Sequence, residues 1–315
     1  MNTVLATALA MLLDRLVGDP LFPPHPVVVM GRYITWWDRR FNQPERPGSN
    51  RWAGVALVVT GALLFGGIPL VGLVWLARTV PLLAWALGIW LISTTIAWKS
   101  LVDAGRMVEE ALAHRGLAAA RAAVGRIVGR DTHQLDEAGV VRATVETLAE
   151  NLVDAVVAPV LYACLAGAPG ALVYRWINTL DAMVGHTTPR HRTFGWASAR
   201  ADDVLNFIPA RLTATLMLLT LPLARLDIAA GARLLARDGR RHPSPNSGLP
   251  EAVMAGALHV QLGGTNTYAG VPSHRPPLGD PGDPLVPGHI TRTLAVVNWS
   301  AASLLGIVAA VGIRP

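Results

Sequence analysis

Charge is scarce in this sequence. Only 15% of its 315 residues are Asp, Glu, Lys or Arg, where about 25% is usual for soluble domains, and Lys99 is the one lysine beside 26 arginines. Cysteine is nearly absent: Cys164 stands alone in the apolar run Val160-Leu161-Tyr162-Ala163-Cys164-Leu165. That excludes a disulfide framework and a cysteine zinc site, and it reads as a packed thiol. The familiar short motifs are missing as well. There is no phosphate loop ending in Gly-Lys, no dinucleotide-binding glycine triplet, no nucleophile elbow and no helical pair of zinc-binding histidines. With a single lysine, any bound phosphate must be held by arginine, backbone N–H groups or a metal. The nine histidines form no pair at helical i, i+4 spacing; His186 and His191 lie five apart in a polar loop.

What is abundant is apolar. Hydrophobic residues make up 52% of the chain and mean hydropathy is +0.39, which excludes disorder and points to an integral membrane protein. The net charge of +6 does not gather in one segment; the arginines flank apolar runs as the positive-inside rule requires. A nucleic-acid partner is therefore not expected, and the lipid bilayer is.

Residues 52–77 and 79–98 are uncharged runs of 26 and 20 residues, each long enough to cross a hydrocarbon core that takes about 20 residues. Arg78 and Pro81 place a turn between them. Before them, 2–13 is a short apolar helix; after them, 293–313 is a final span. The runs 155–174, broken by Pro159 and Pro169, and 212–224, of 13 residues, leave open whether the chain crosses or re-enters there. The expected fold is all-α, a polytopic integral membrane helical protein forming one membrane-embedded domain over 1–315, with a cytoplasmic helical insert at 99–142 and an irregular, loop-rich extramembrane region at 225–292. Six basic residues between 14 and 51 and seven between 99 and 142, against Arg78 alone in the turn between them, put both basic segments in the cytoplasm.

Three polar clusters interrupt the apolar sequence. Arg142, Glu146, Glu150 and Asp154 recur every four residues, with Asn151 beside them, so that a helix carries all four on one stripe. An Arg142–Glu146 pair on a solvated face explains one contact only; three acids on a stripe repel unless a cation, a metal or a basic partner lies among them. Ionisable groups entering a membrane segment mark function by default. Arg175, Asn178 and Asp181 form the second cluster. Arg200, Asp202, Asp203, Asn206 and Arg211 form the third, where Asp202 and Asp203 are equally explained as acids at a helix N-terminus. Carboxylates interspersed with asparagine suit a hard cation such as Mg²⁺ shared with phosphate oxygens.

The chain resembles the cobinamide-phosphate synthase family of cobalamin biosynthesis, the CbiB/CobD type. The resemblance rests on Leu13-Asp14-Arg15-Leu16-Val17-Gly18-Asp19-Pro20 with His25-Pro26-Val27, on Gly129-Arg130-Asp131-Thr132, and on Val145-Glu146-Thr147-Leu148-Ala149-Glu150-Asn151 with Asp154. It continues through Tyr174-Arg175, Asn178-Thr179-Leu180-Asp181, Phe194-Gly195-Trp196-Ala197-Ser198-Ala199-Arg200, Asp202-Asp203, Asn206 and Pro209-Ala210-Arg211, and into the turn-rich stretches around Asn246 and Asn266. The segment His186-Thr187-Thr188-Pro189 departs from the family pattern. The resemblance implies a multi-pass inner-membrane ligase with its site on the cytoplasmic side. It would join adenosylcobyric acid to (R)-1-amino-2-propanol or its O-phosphate through an amide bond with ATP and Mg²⁺, cobalt entering only within the corrinoid substrate. Other late cobalamin-assembly membrane enzymes are possible partners.

Amide formation from a carboxylate requires phosphoryl activation and loss of a proton from the amine. Glu146, Glu150, Asp202 and Asp203 are the candidate catalytic residues, and Glu146, Glu150 and Asp154 the candidate Mg²⁺ ligands. Arg142, Asn151, Arg175, Asn178, Asp181, Arg200, Asn246 and Asn266 are candidates for binding substrate and phosphate. A transporter of a corrinoid or other anionic solute is the competing expectation, disfavoured because the charged stripes begin only at residue 142 rather than in two matching halves. A non-catalytic membrane scaffold is the third.

Overall fold

The computed structural model describes residues 2–18, 25–185, 188–268 and 270–314; Asp19-Pro20 and His186-Thr187, singled out above, lie outside them. The helices in chain order are α1 (Thr3–Val17), α2 (Pro26–Phe41), α3 (Pro47–Ala62), α4 (Ile68–Thr79), α5 (Pro81–Ser93), α6 (Trp98–Glu110), α7 (Gly116–Val124), α8 (Glu137–Leu152), α9 (Ala158–Val184), α10 (Trp196–Leu205), α11 (Phe207–Thr220), α12 (Ile228–Asp238), α13 (Gly248–Leu258) and α14 (Gly288–Gly312). Two strands, β1 (Leu262–Tyr268) and β2 (Val271–Leu278), pair antiparallel between α13 and α14. Five helical runs are long and apolar enough to cross a membrane: Pro47–Thr79, Pro81–Val124, Glu137–Val184, Phe207–Ala224 and Gly288–Gly312. The chain is thus an all-α, multi-pass membrane protein. Helix α4 is wholly apolar apart from its last turn and buries none of its residues, as a helix in contact with lipid does.

Contacts divide the chain, read above as one domain, into two compact units. The first comprises Met1–Ala97, Asp154–Asn206 and Leu305–Pro315, and the second Trp98–Val153 and Phe207–Leu304.

In the first unit, α1 starts where the Asn2 side chain accepts from the backbone N–H groups of Val4 and Leu5, and α2 where His25 accepts from Val27 ahead of Pro26, both ordinary N-terminal caps. The core packs Met30, Ile34, Leu57, Leu172, Trp176, Ile177 and Phe194 together. Trp176 is fully buried and donates its indole N–H to the Val58 carbonyl at 3.1 Å. Close helix approach here depends on glycine: a Cβ at Gly61 would lie 2.0 Å from the Trp176 ring. Gly61→Ala is therefore expected to lower stability by about 1–3 kcal/mol through overpacking, whereas Gly67→Ala, whose Cβ meets nothing within 4 Å, should be neutral. Thermal unfolding of the two variants in detergent separates them, and equal unfolding temperatures would contradict the packing argument.

The uncharged run 155–174 does not form one straight helix. Helix α9 breaks at Ala166 and Gly167, where Gly167 adopts φ +64°, a conformation glycine takes without penalty. Pro169 follows two residues later and cannot supply the next helical N–H.

In the second unit, residues 99–142 are helical apart from the loop 125–136. The region 225–292, expected to be irregular, contains α12, α13 and the β1–β2 hairpin. Gly263 and Gly264 at φ +81° and +82° produce a register shift at the start of the ladder, and Gly270 at +80° closes its turn. The glycines that read as loop in the sequence are the hairpin's bulge and turn. Helix α13 is buried at every position. At the end of α12, buried Asp238 accepts both guanidinium N–H groups of Arg237 at 2.8 and 2.7 Å, pairs with Arg241 at 3.2 Å and accepts from the Gly279 N–H at 2.9 Å. The Arg237 bonds hold its carboxyl below the usual aspartate range despite the opposing effect of burial. A lowered folded-state value stabilises the protein above the unfolded value of about 4 and is lost as pH falls through the folded one. Asp238→Asn should therefore destabilise the parent fold at pH 7, and the difference should shrink as pH falls below the unfolded value of about 4; a difference in unfolding temperature unchanged by acidification would refute this.

Candidate functional site

The second unit builds its polar centre where the loop before α8, helix α8 and the hairpin meet. Asp136 caps α8 by accepting from the Gly139 N–H at 2.7 Å, which fixes the start of the helix and so places Arg142, Glu146 and Glu150 on one stripe. Glu146 is buried. Its Oε2 meets Arg130 Nη2 at 2.8 Å, both side chains being 6% exposed, and its Oε1 accepts from the Gly263 N–H at 2.8 Å. Arg130 Nη1 donates to Asn266 Oδ1 at 2.5 Å. Arg142 donates to the carbonyls of Gly263 (2.6 Å) and Thr265 (3.1 Å) and to Asn266 Oδ1 (3.1 Å). The Nε of Arg130, the Nε of Arg142, which lies 3.9 Å from Glu146 Oε1, and the Nδ2 of Asn266 are buried without a hydrogen-bond partner among the described residues, so the centre retains donor capacity for an anion. One turn along, Glu150 Oε1 accepts from Ser247 Oγ at 2.7 Å.

Glu251 lies in the same unit, at the start of α13, which packs against α8 and both strands. It is 1% exposed, and neither carboxyl oxygen has a hydrogen-bond partner among the described residues. Burial, then the charges of Glu146 and Glu150, push its carboxyl well above the usual range against the opposing pull of Arg275 and Arg130.

The first unit carries a separate network. Tyr174, fully buried, donates towards Asn206 Oδ1 at 2.9 Å and Asp154 Oδ1 at 3.4 Å. Asn206 Nδ2 donates to Asp202 Oδ2 at 3.0 Å, and Asn178 Nδ2 to Asp202 Oδ1 at 3.4 Å. Arg175 Nη1 reaches Asn178 Oδ1 at 3.4 Å and the Asp154 carbonyl at 3.5 Å. Two carboxylates, two asparagines, a tyrosine and an arginine are thereby linked among apolar helices.

Of the residues singled out in the sequence, Arg142, Glu146 and Asn266 meet in one centre with Glu150 beside them, and Asp154, Arg175, Asn178 and Asp202 meet in the other. The others are placed as follows. Asn151 donates back to Thr147 of its own helix at 2.9 Å, and Arg200 pairs with Asp203 at 3.6 Å on an exposed face. Asp181 lies a turn beyond Asn178, beside Gly185, and Asn246 is buried in the turn before α13. The sharing of one cation by Glu146, Glu150 and Asp154 is corrected: among the described residues no three His, Cys, Asp or Glu side chains are arranged to hold a metal ion. The physical reason is that Arg130 and the Gly263 N–H already answer the charge of Glu146. Asn206 stood in the third polar cluster, and Arg130 and Tyr174 in the stretches that carry the resemblance, without a role at a site; Ser247 and Glu251 were not nominated from the sequence, though Glu251 could have been, as the one ionisable residue of an otherwise apolar helix.

A family model described as CobD/Cbib protein matches residues 7–297. The chain is 45% identical over 310 residues to the cobalamin biosynthesis protein CobD of Halalkalibacterium halodurans, covering 96% of this chain and 94% of that one. It is 45% identical over 312 residues to the protein of the same name from Geobacter metallireducens, with 96% and 94% covered. With the cobalamin biosynthesis protein CbiB of Salmonella typhimurium it shares 40% identity over 311 residues, 96% and 95% covered. No solved structure matches.

Proposed function

Since this chain belongs to the CobD/CbiB family and so has a role in cobalamin biosynthesis, we propose that it is an ATP-dependent amide-forming ligase. Its substrates are adenosylcobyric acid and (R)-1-amino-2-propanol or its O-phosphate, and it works in the cell's inner membrane with the reacting groups on the cytoplasmic side. The observation that carries the reading is the half-buried network of Asp154, Asp202, Asn178 and Arg175 around buried Tyr174 and Asn206 in the first unit. Mg²⁺ takes one or two carboxylates and fills its remaining positions with phosphate oxygens and water. Asp154 and Asp202 fit that donor set, since each is positioned by a neutral hydrogen-bond donor. When bound with ATP, the cation neutralises phosphate charge during transfer to the corrinoid carboxylate.

The remaining work falls to side chains. Arg175 binds phosphate oxygens, a task left to arginine in a chain whose only lysine, Lys99, is paired with Asp103 at 2.5 Å. Tyr174 and Asn206 hold Asp154 and Asp202 in place. In the second unit, the unused N–H groups of Arg130, Arg142 and Asn266 receive a carboxylate or phosphate, and Glu150 and Glu251 serve the amine.

The broken helix α9 is a feature that transporters of anionic solutes share. Purified, detergent-solubilised protein has no compartments to transport between, so it separates the readings. Incubated with ATP, Mg²⁺, adenosylcobyric acid and either amine, it should form the amide with matching ATP hydrolysis, followed by mass spectrometry. Solute uptake into proteoliposomes without any amide would establish the transporter.

A further inference from the structure

A carboxyl group that is 1% exposed with both oxygens unpartnered costs a fold free energy unless something outside the chain completes it. The ligand it awaits can be read from its surroundings. The charged groups acting on Glu251 are Glu146 and Glu150 from α8, Arg275 from β2 and Arg130 from the loop before α8, with His242 of the preceding turn coupled to the same glutamates. Of the other helices packed on α13, α12 carries Arg233 and the paired Arg237 and Asp238, and α11 carries Arg211. The glutamates do not form a three-acid metal group. Glu251 itself offers an anion no N–H donor; those lie at Arg130, Arg142 and Asn266. A primary ammonium remains: a compact cation with three N–H donors that can serve Glu251 and the free lone pairs of Glu150 at once. Glu150, Ser247, His242 and Arg275 are only half-buried.

Resting on the amide-ligase reading, we propose that Glu251, with Glu150 beside it, binds the ammonium end of the amino alcohol, and that one proton leaves for solvent as it binds. The balance is simple. Buried with no hydrogen-bond partner on either oxygen, the Glu251 carboxyl is held in its neutral, protonated form in the free protein; the incoming ammonium carries one proton more than the attacking amine needs. Binding converts a neutral carboxylic acid and a free alkylammonium into a carboxylate paired with that alkylammonium, plus one proton released to solvent. Shifting the shared proton from nitrogen back to the carboxylate, to give the carboxylic acid and a neutral primary amine, leaves the count unchanged and frees the nitrogen lone pair for attack.

Glu251→Gln copies the protonated side chain in size and hydrogen-bonding capacity, so the variant should fold. Titration calorimetry of 1-amino-2-propanol and its O-phosphate, with and without adenosylcobyric acid, in two buffers of different ionisation enthalpy at pH 7, counts the protons released. The parent should release about one per amine bound, with 1,2-propanediol giving no signal, and Glu251→Gln should release none and bind at least ~10-fold more weakly. Proton release unchanged in Glu251→Gln, or none from the parent with either amine in either condition, overturns the assignment. Proton-linked amine binding without amide formation would instead defeat the ligase reading alone. Normal turnover by Glu251→Gln would defeat this one alone.

Discussion

Arg130→Met is expected to destabilise the protein by about 3–5 kcal/mol and to abolish amide formation, because it strips the partner from a glutamate 6% exposed and leaves a buried charge uncompensated. Asn266 loses its 2.5 Å donor in the same step. Arg130→Met combined with Glu146→Gln removes the buried charge while keeping an acceptor for the Gly263 N–H, and should recover most of the lost stability. Activity should stay lost in the double variant, because the anion-binding donors of Arg130 are gone. Thermal unfolding in detergent beside the amide assay reads both effects. A single variant as stable as the parent would show that the pair is not the keystone of this unit, and an active double variant would remove Arg130 from the substrate site.

The same centre marks the line between what periodicity reveals and what it hides. Arg142, Glu146 and Glu150 were legible as a stripe because helix geometry is local: four residues of spacing place side chains on one face whatever the rest of the chain does. That three acids in a row need an answer was legible as well. The identity of the answer was not, since Arg130 comes from a loop and the Gly263 N–H from a hairpin more than a hundred residues away. The hairpin was hidden by its own glycines, which in one dimension look like loop. Helices α3 to α5 and the turn at Pro81 followed directly from uncharged runs of sufficient length. The break in α9 was visible only as an ambiguity, because Gly167 and Pro169 mark an interruption without saying which residue leaves the helix. Asp154 was grouped with the wrong partners for a comparable reason. A π turn at Val153–Val157 follows α8, so the 100° step that ties Glu146 to Glu150 is not the rule at Asp154, which bonds with Tyr174.

Adjacent acids in α10 provide the other decisive experiment. Neighbouring side chains on a helix point about 100° apart, and here they meet different surroundings. Asp202 accepts from Asn206 at 3.0 Å and Asn178 at 3.4 Å within the network around Tyr174, whereas Asp203 faces Arg200 at 3.6 Å, with side chains 29% and 69% exposed. An exposed pair of that kind contributes about 0–1 kcal/mol, so Asp203→Asn should leave turnover within roughly fivefold of the parent. Asp202→Asn removes a charge from the two-carboxylate donor set and turns an acceptor that Asn178 and Asn206 both use into an amide. Turnover should fall by ~10²-fold or more, with a higher Mg²⁺ requirement and a fold no less stable than that of Asp203→Asn. Asp202→Glu, which keeps the charge but extends it by one methylene, should restore part of the Mg²⁺ dependence and little of the rate. Equal and small losses for Asp202→Asn and Asp203→Asn across a Mg²⁺ titration would mean that neither acid, both lying in the last turn of α10, takes part in the phosphate chemistry, which would then have to be sought among the arginines of the second unit.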